Sequence, residues 1–171
     1  MAPPAELETF GSTPLLLPGE NVDHYRGFRQ AVFADIAPRS AIEWLLAIDV
    51  AEASWEILRY RSLRDKLLEL YRQKAIEAAL GRIDLPGIPA EFQDQARLRV
   101  SQNAQSWRTD STAAKEIDAR LASYGFDEQA LNVEVYIQAR ETFFLFESLV
   151  HSAQVRRMLL LKEIKSQRSK Y

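Results

Sequence analysis

Cysteine is absent from this chain of 171 residues. Its absence excludes disulfides, a thiolate nucleophile and cysteine-based zinc sites, and it fits a reducing cytoplasm. Histidine is nearly absent, with only His24 and His151. Neither sits in the Glu-x-x-His pattern that di-iron helical bundles use. Glu147 and His151 are one turn apart, and Asp49, Glu52 and Glu56 share a helix side, but a solvated acidic face is the simpler reading of these carboxylates. No alternating Val, Ile or Thr pattern marks a strand. No apolar run approaches the ~20 residues of a membrane span, and residues 1–9 lack the basic and apolar parts of a secretory signal. Gly-x-Ser-x-Gly and phosphate-loop patterns are missing as well. A cytoplasmic, non-enzymatic protein is therefore expected, with no membrane association, no cofactor and no metal.

Glycine and proline are also unevenly spread. Four of the seven prolines fall in residues 1–20, whereas residues 41–80 and 128–168 contain neither residue type. An extended or disordered arm is expected over residues 1–20 and a single helical domain over residues 21–171. Asn21 should cap a short helix that carries Tyr25, Phe28, Val32 and Ile36 on one side and ends before Pro38. Ser40-Ala-Ile-Glu43 reads as a capping box for a helix of about 40 residues. Gly81 should stop that helix, and a Pro/Gly loop follows. Shorter helices are expected over residues 91–107 and 112–124, the second stopped by Gly125. Asp127 should cap the last long helix.

Charge is arranged in blocks beneath a net value of −2. Residues 1–58 sum to −6, 59–82 to +4, 83–154 to −5 and 155–171 to +5. Each long segment thus runs from acidic to basic, and antiparallel pairing sets acid beside base. The expected fold is all-α: an antiparallel hairpin of two long helices with three shorter helices packed on it. Asp49 and Arg157 lie on or beside the facing apolar stripes. Pairing them as a structural ion pair fixes a register in which Ile42 meets Ile164 and Tyr60 meets Phe146.

Each long helix carries two apolar stripes. On the first, Ile42, Leu46, Ala53, Ile57, Tyr60 and Tyr71 form one, and Trp44, Ile48, Ala51, Trp55 and Leu58 another. On the second, the main stripe runs through Leu131, Val135, Ala139, Phe146, Leu149, Ala153, Leu160 and Ile164. Val133, Ile137, Phe144 and Val155 lie opposite it. Both faces must be buried, either by the shorter helices or by another molecule. Trp44, Trp55, Val133, Ile137 and Phe144 are the candidate oligomer interface in the second case.

Two functional classes compete. The leading one is an interaction or regulatory protein whose partner is another protein or a second copy. The alternative is a nucleic-acid-associated protein using the basic last helix, with Arg156, Lys162, Lys165, Arg168 and Lys170 as phosphate contacts. The predicted antiparallel pairing works against the alternative, because it sets acidic side chains beside these cations. The phrases Leu17-Pro18-Gly19-Glu20, Ile36-Ala37-Pro38, Ile42-Glu43-Trp44-Leu45-Leu46, Ser152-Ala153 with Arg156-Arg157, and Leu161-Lys162-Glu163-Ile164 carry one more observation. On them the chain resembles a loosely defined group of small uncharacterised bacterial helical proteins, some near mobile elements. The resemblance spans both end segments and implies the helical architecture, not a mechanism. Members often carry an Asn/Lys/His/Gly-rich basic motif before the Leu-Pro-Gly-Glu phrase, which this chain lacks.

Overall fold

The computed structural model describes residues 16–169. Residues 1–15, Lys170 and Tyr171 lie outside the described residues, and with them most of the expected arm and one nominated cation. Helix α1 spans Val22–Ile36, α2 Ala41–Asp84, α3 Gln93–Thr109, α4 Ser111–Ser123 and α5 Glu128–Arg168, with a single 3-10 turn at Ala90–Phe92 before α3. The protein is all-α, and no strand occurs among the described residues. Contacts group the chain into two compact units. One is Met1–Ser62 with Phe146–Tyr171, and the other is Leu63–Leu145.

Local chemistry explains the helix starts. Asn21 Oδ1 accepts from the backbone N–H groups of Asp23 at 2.7 Å and His24 at 3.3 Å. Asp110 does the same for Thr112 and Ala113, and Asp127 for Ala130. Each side chain satisfies donors that the first helical turn leaves open. The capping box at α2 is modified. Ser40 Oγ accepts from Glu43 N–H at 3.2 Å, but the Glu43 carboxylate reaches past Ser40 to Arg39 N–H at 2.8 Å. Gly81 does not stop α2, which continues to Asp84. A helical glycine costs about 1 kcal/mol relative to alanine; packing Ile83 and Leu85 on the core outweighs it. The chain turns instead at Gly87, whose φ of 81° favours glycine.

In the first unit, α1 covers the Trp44 stripe of α2. Phe33 packs edge-on against Trp44 at 5.1 Å, and Val32 and Ile36 close over Ala47, Ile48 and Ala51. Tyr25 and Phe28 receive the Trp55 ring at 5.4 and 5.8 Å. The main stripe of α2 meets α5 through Ile57, Val150 and Ala153. Ahead of α1, residues 17–20 form a turn with Gly19 at φ 91°. Glu20 accepts from Leu17 N–H and binds the Arg59 guanidinium with both oxygens, at 2.8 and 2.7 Å. That part of the expected extended or disordered arm is tied to α2.

The register between α2 and α5 in this unit differs from the expected one. Ion pairs join Glu56 to Arg156 and Glu43 to Arg168. This slides the helices about five residues from the Asp49–Arg157 alignment, and Asp49 is exposed with no ion pair among the described residues. Ile42, expected against Ile164, is 57% exposed. Arg168 sets the register because it has more to satisfy. It donates to the Ile36 and Ala37 carbonyls at the end of α1 and to both oxygens of Glu43, which is 6% exposed. Ala37 sits in the left-handed region at φ 47° ahead of Pro38, so this guanidinium closes a helix end that carries backbone strain.

In the second unit, Ile76, Ala79 and Leu80 of α2 pack with Val100 and Ala104 of α3, Leu121 of α4 and Leu131 of α5. Trp107 rests against this core while its ring N–H donates to Asp118 at 2.9 Å. Arg120 pairs with Asp84, and Arg82 with Glu134.

Arg168→Met should destabilise the protein by about 2–3 kcal/mol in urea unfolding, since it strands a buried carboxylate and two carbonyls. Arg168 is the chief reason the Glu43 carboxyl is held below its ordinary value of 4.5. That stabilisation is therefore present above pH 4.5 and lost as pH falls through the lower folded value, so the penalty of Arg168→Met should shrink in acid. For the register, a double-mutant cycle on Glu56→Gln and Arg156→Met should give a coupling of about 0.2–1 kcal/mol, whereas Asp49→Asn and Arg157→Met should be additive.

Candidate interaction surface

Helix α5 turns about 100° per residue, so Leu131, Val135 and Ala139 share one side and Val133, Ile137, Arg140, Glu141 and Phe144 the opposite one. The first side is buried in the core of the second unit. The opposite side faces outward: Val133 is 59% exposed, Ile137 64% and Phe144 66%. Tyr136 and Leu145 flank it and are also more than half exposed. The Tyr136 ring is steadied by an edge contact to Phe143 at 5.4 Å.

Polar groups around this face fall into two sets. Glu134 is engaged within its own unit: it accepts from Gln138 Nε2 at 2.8 Å and from Arg82 at 3.3 Å. The Gln138 hydrogen bond, then Arg82, holds its carboxyl below the ordinary value. Arg140 and Glu141 sit in the middle of the apolar face. Both are exposed, and neither joins an ion pair among the described residues. The outward side of α5 therefore carries exposed apolar residues together with one cation and one anion, set about 100° apart around the helix.

The remaining nominated residues divide clearly. Trp44, 6% exposed, and the half-buried Trp55 pack against α1 and are core, so they do not belong with Val133, Ile137 and Phe144. The cations nominated for nucleic acid are not brought together as a free patch. Arg156 is held by Glu56, and Arg168 by Glu43 and two carbonyls. Lys162 and Lys165 are exposed, with Lys162 on the rim of a shallow cleft of about 420 Å³ lined by Leu46, Leu159 and Leu160. Arg157 is half-buried. In the second unit, Phe92, Ile88 and Val100 line a cleft of about 400 Å³ whose acid, Asp84, is already paired with Arg120. Among the described residues, no group of three or more His, Cys, Asp or Glu is placed to hold a metal ion. No helix among them is long and apolar enough to cross a membrane.

Sequence reading missed the Glu20–Arg59 clamp, because residues 39 positions apart carry no spacing signal. Arg140 and Glu141 also went unmarked, as two ordinary surface charges. Their place on the Val133–Phe144 side was available from helical spacing alone. No family model matches the chain, and no curated protein or solved structure does so either.

The acidic side of α2 has a measurable consequence. Burial first, and then the like charges of Asp49 and Glu56, push the Glu52 carboxyl above its ordinary value of 4.5. A raised folded pKa means that ionised Glu52 opposes folding as pH rises through that value. Glu52→Gln should therefore raise the melting temperature at neutral pH, with the gain vanishing below pH 4.5.

Proposed function

We propose that this chain is a helical interaction protein that acts by docking a protein surface on the outward face of α5, without catalysing a reaction. The observation that carries this reading is the strip of Val133, Ile137 and Phe144, all more than half exposed, on the side of α5 opposite its buried residues. A helix apolar on two faces gains nothing from the second unless something covers it. Antiparallel pairing of the two long helices, expected from the charge blocks, belongs to the same proposal. It is supported within the first unit by the Glu56–Arg156 and Glu43–Arg168 pairs. The nucleic-acid reading has less support, since Arg156 and Arg168 are spent on intramolecular partners.

The test compares wild-type protein with Ile137→Glu and Phe144→Glu in recovering associated protein from a lysate of the source cells. Both substitutions place charge on an exposed site and should leave the melting temperature nearly unchanged. Recovery of the associated protein should fall by at least about 10-fold, as expected for charge inside an apolar contact. Lys162→Gln with Lys165→Gln should leave it intact. Recovery that survives the α5 variants but is lost in the lysine variants overturns the reading, most directly if the recovered material is nucleic acid.

A further inference from the structure

We propose that the second unit binds a small apolar carboxylate in the cleft bounded by α2, α3 and α5. The proposal goes beyond the docking role of α5 and does not depend on it. The cleft has a volume of about 590 Å³, within the roughly 300–1,000 Å³ typical of small-molecule sites. Its apolar lining is Ala78, Gly81, Leu85 and Val100, and its cations are Lys74, Arg82 and Arg97. Gly81 is the residue that the fold itself does not require. It lies inside α2, and its φ is not in the left-handed region. A Cβ there would meet Leu85 Cδ1 at 3.6 Å, an ordinary van der Waals contact. Alanine would therefore fit, and it is the better helix former. What glycine supplies at this position is open space in the wall of the cleft.

Charge selects the occupant. Lys74 and Arg97 are exposed, and neither joins an ion pair among the described residues. The Lys74 ammonium is steadied over the Tyr71 ring at 4.8 Å. Arg82 is shared with Glu134 at 3.3 Å, and Gln138, which also lines the cleft, donates to the same carboxylate. Glu77 is the acid of the lining itself. Three cations set against Glu77 and Glu134 leave one positive charge unanswered. A single carboxylate answers it, whereas a triphosphate or a nucleic-acid strand brings more negative charge than the cleft balances. A guanidinium such as that of Arg97 can hold a carboxylate through two parallel hydrogen bonds. The apolar lining then takes the ring or hydrocarbon attached to that carboxylate out of water.

The experiment titrates the full chain calorimetrically with two probes, naphthoate for a flat aromatic body and decanoate for an aliphatic one. At least one should bind at a single saturable site with a Kd below about 1 mM, and the stronger of the two identifies the kind of body the cleft takes. The uncharged amide of that probe should bind at least about 10-fold more weakly, because it lacks the charge that the cations answer. Arg97→Gln should weaken binding of the acid by at least about 5-fold and leave binding of the amide unchanged. Gly81→Leu fills the open wall and should weaken both by at least about 10-fold. Arg97 is exposed, and leucine favours a helix over glycine, so both variants should melt no lower than wild type. Should Gly81→Leu fail to fold, Arg97→Gln decides the matter alone. Phe144→Glu should leave probe binding unchanged. The proposal is overturned if neither probe saturates below about 1 mM, if the amide binds as well as the acid, or if Arg97→Gln has no effect. Binding lost in Phe144→Glu also overturns it, by moving the site to the outward face of α5. Failure of the probes leaves the recovery experiment on Ile137→Glu and Phe144→Glu untouched, so the two readings fail separately.

Discussion

A helix that is apolar on two opposite sides has to be covered twice, and this constraint organises the molecule. Leaving a stripe of large side chains in water forgoes roughly 25 cal/mol for each Å² that could be buried. On α2 the requirement is met internally. Its Trp44–Ile48–Ala51 side is closed by Phe33, Val32 and Ile36 of α1, and its Ile57 side by Val150 and Ala153 of α5. On α5 the requirement is met on one side only. Leu131, Val135 and Ala139 are buried, and Val133, Ile137 and Phe144 are left facing outward.

Polar chemistry then fixes what apolar packing leaves free. Apolar stripes tolerate sliding by a turn, because one aliphatic side chain substitutes for another. Carbonyls at a helix end do not, since each needs a donor at a defined place. Arg168 supplies that donor to Ile36 and Ala37 while neutralising Glu43, and the Arg59–Glu20 clamp fastens the turn ahead of α1 in the same manner. In both cases an arginine fork meets several acceptors at once, the geometry at which it surpasses lysine. The basic end of α5 is therefore part of the internal architecture of the first unit.

The same pairing of charges separates Glu134 from Arg140 and Glu141. Glu134 is absorbed by Gln138 and Arg82 inside its unit. Arg140 and Glu141, further along α5, stand in the middle of an apolar strip.

The sequence by itself determined the helices. Long stretches free of Gly and Pro, with caps at Asn21, Ser40 and Asp127, specify helix starts within a residue or so, because capping is a contact between near neighbours in the chain. It also determined which α5 residues share a side, since that follows from the helical repeat. The tertiary structure decided what was not local. It carried α2 through Gly81, where burial of Ile83 and Leu85 exceeded the cost of a helical glycine. It divided the chain into two compact units and buried Trp44 under α1. It also set the register by Arg168, not by Asp49 and Arg157. The physical reason is common to these outcomes: propensity, caps and periodicity act over a few residues, whereas register and burial depend on which distant polar groups must be satisfied together. Only the folded chain reveals which of two equally apolar faces is left without a cover.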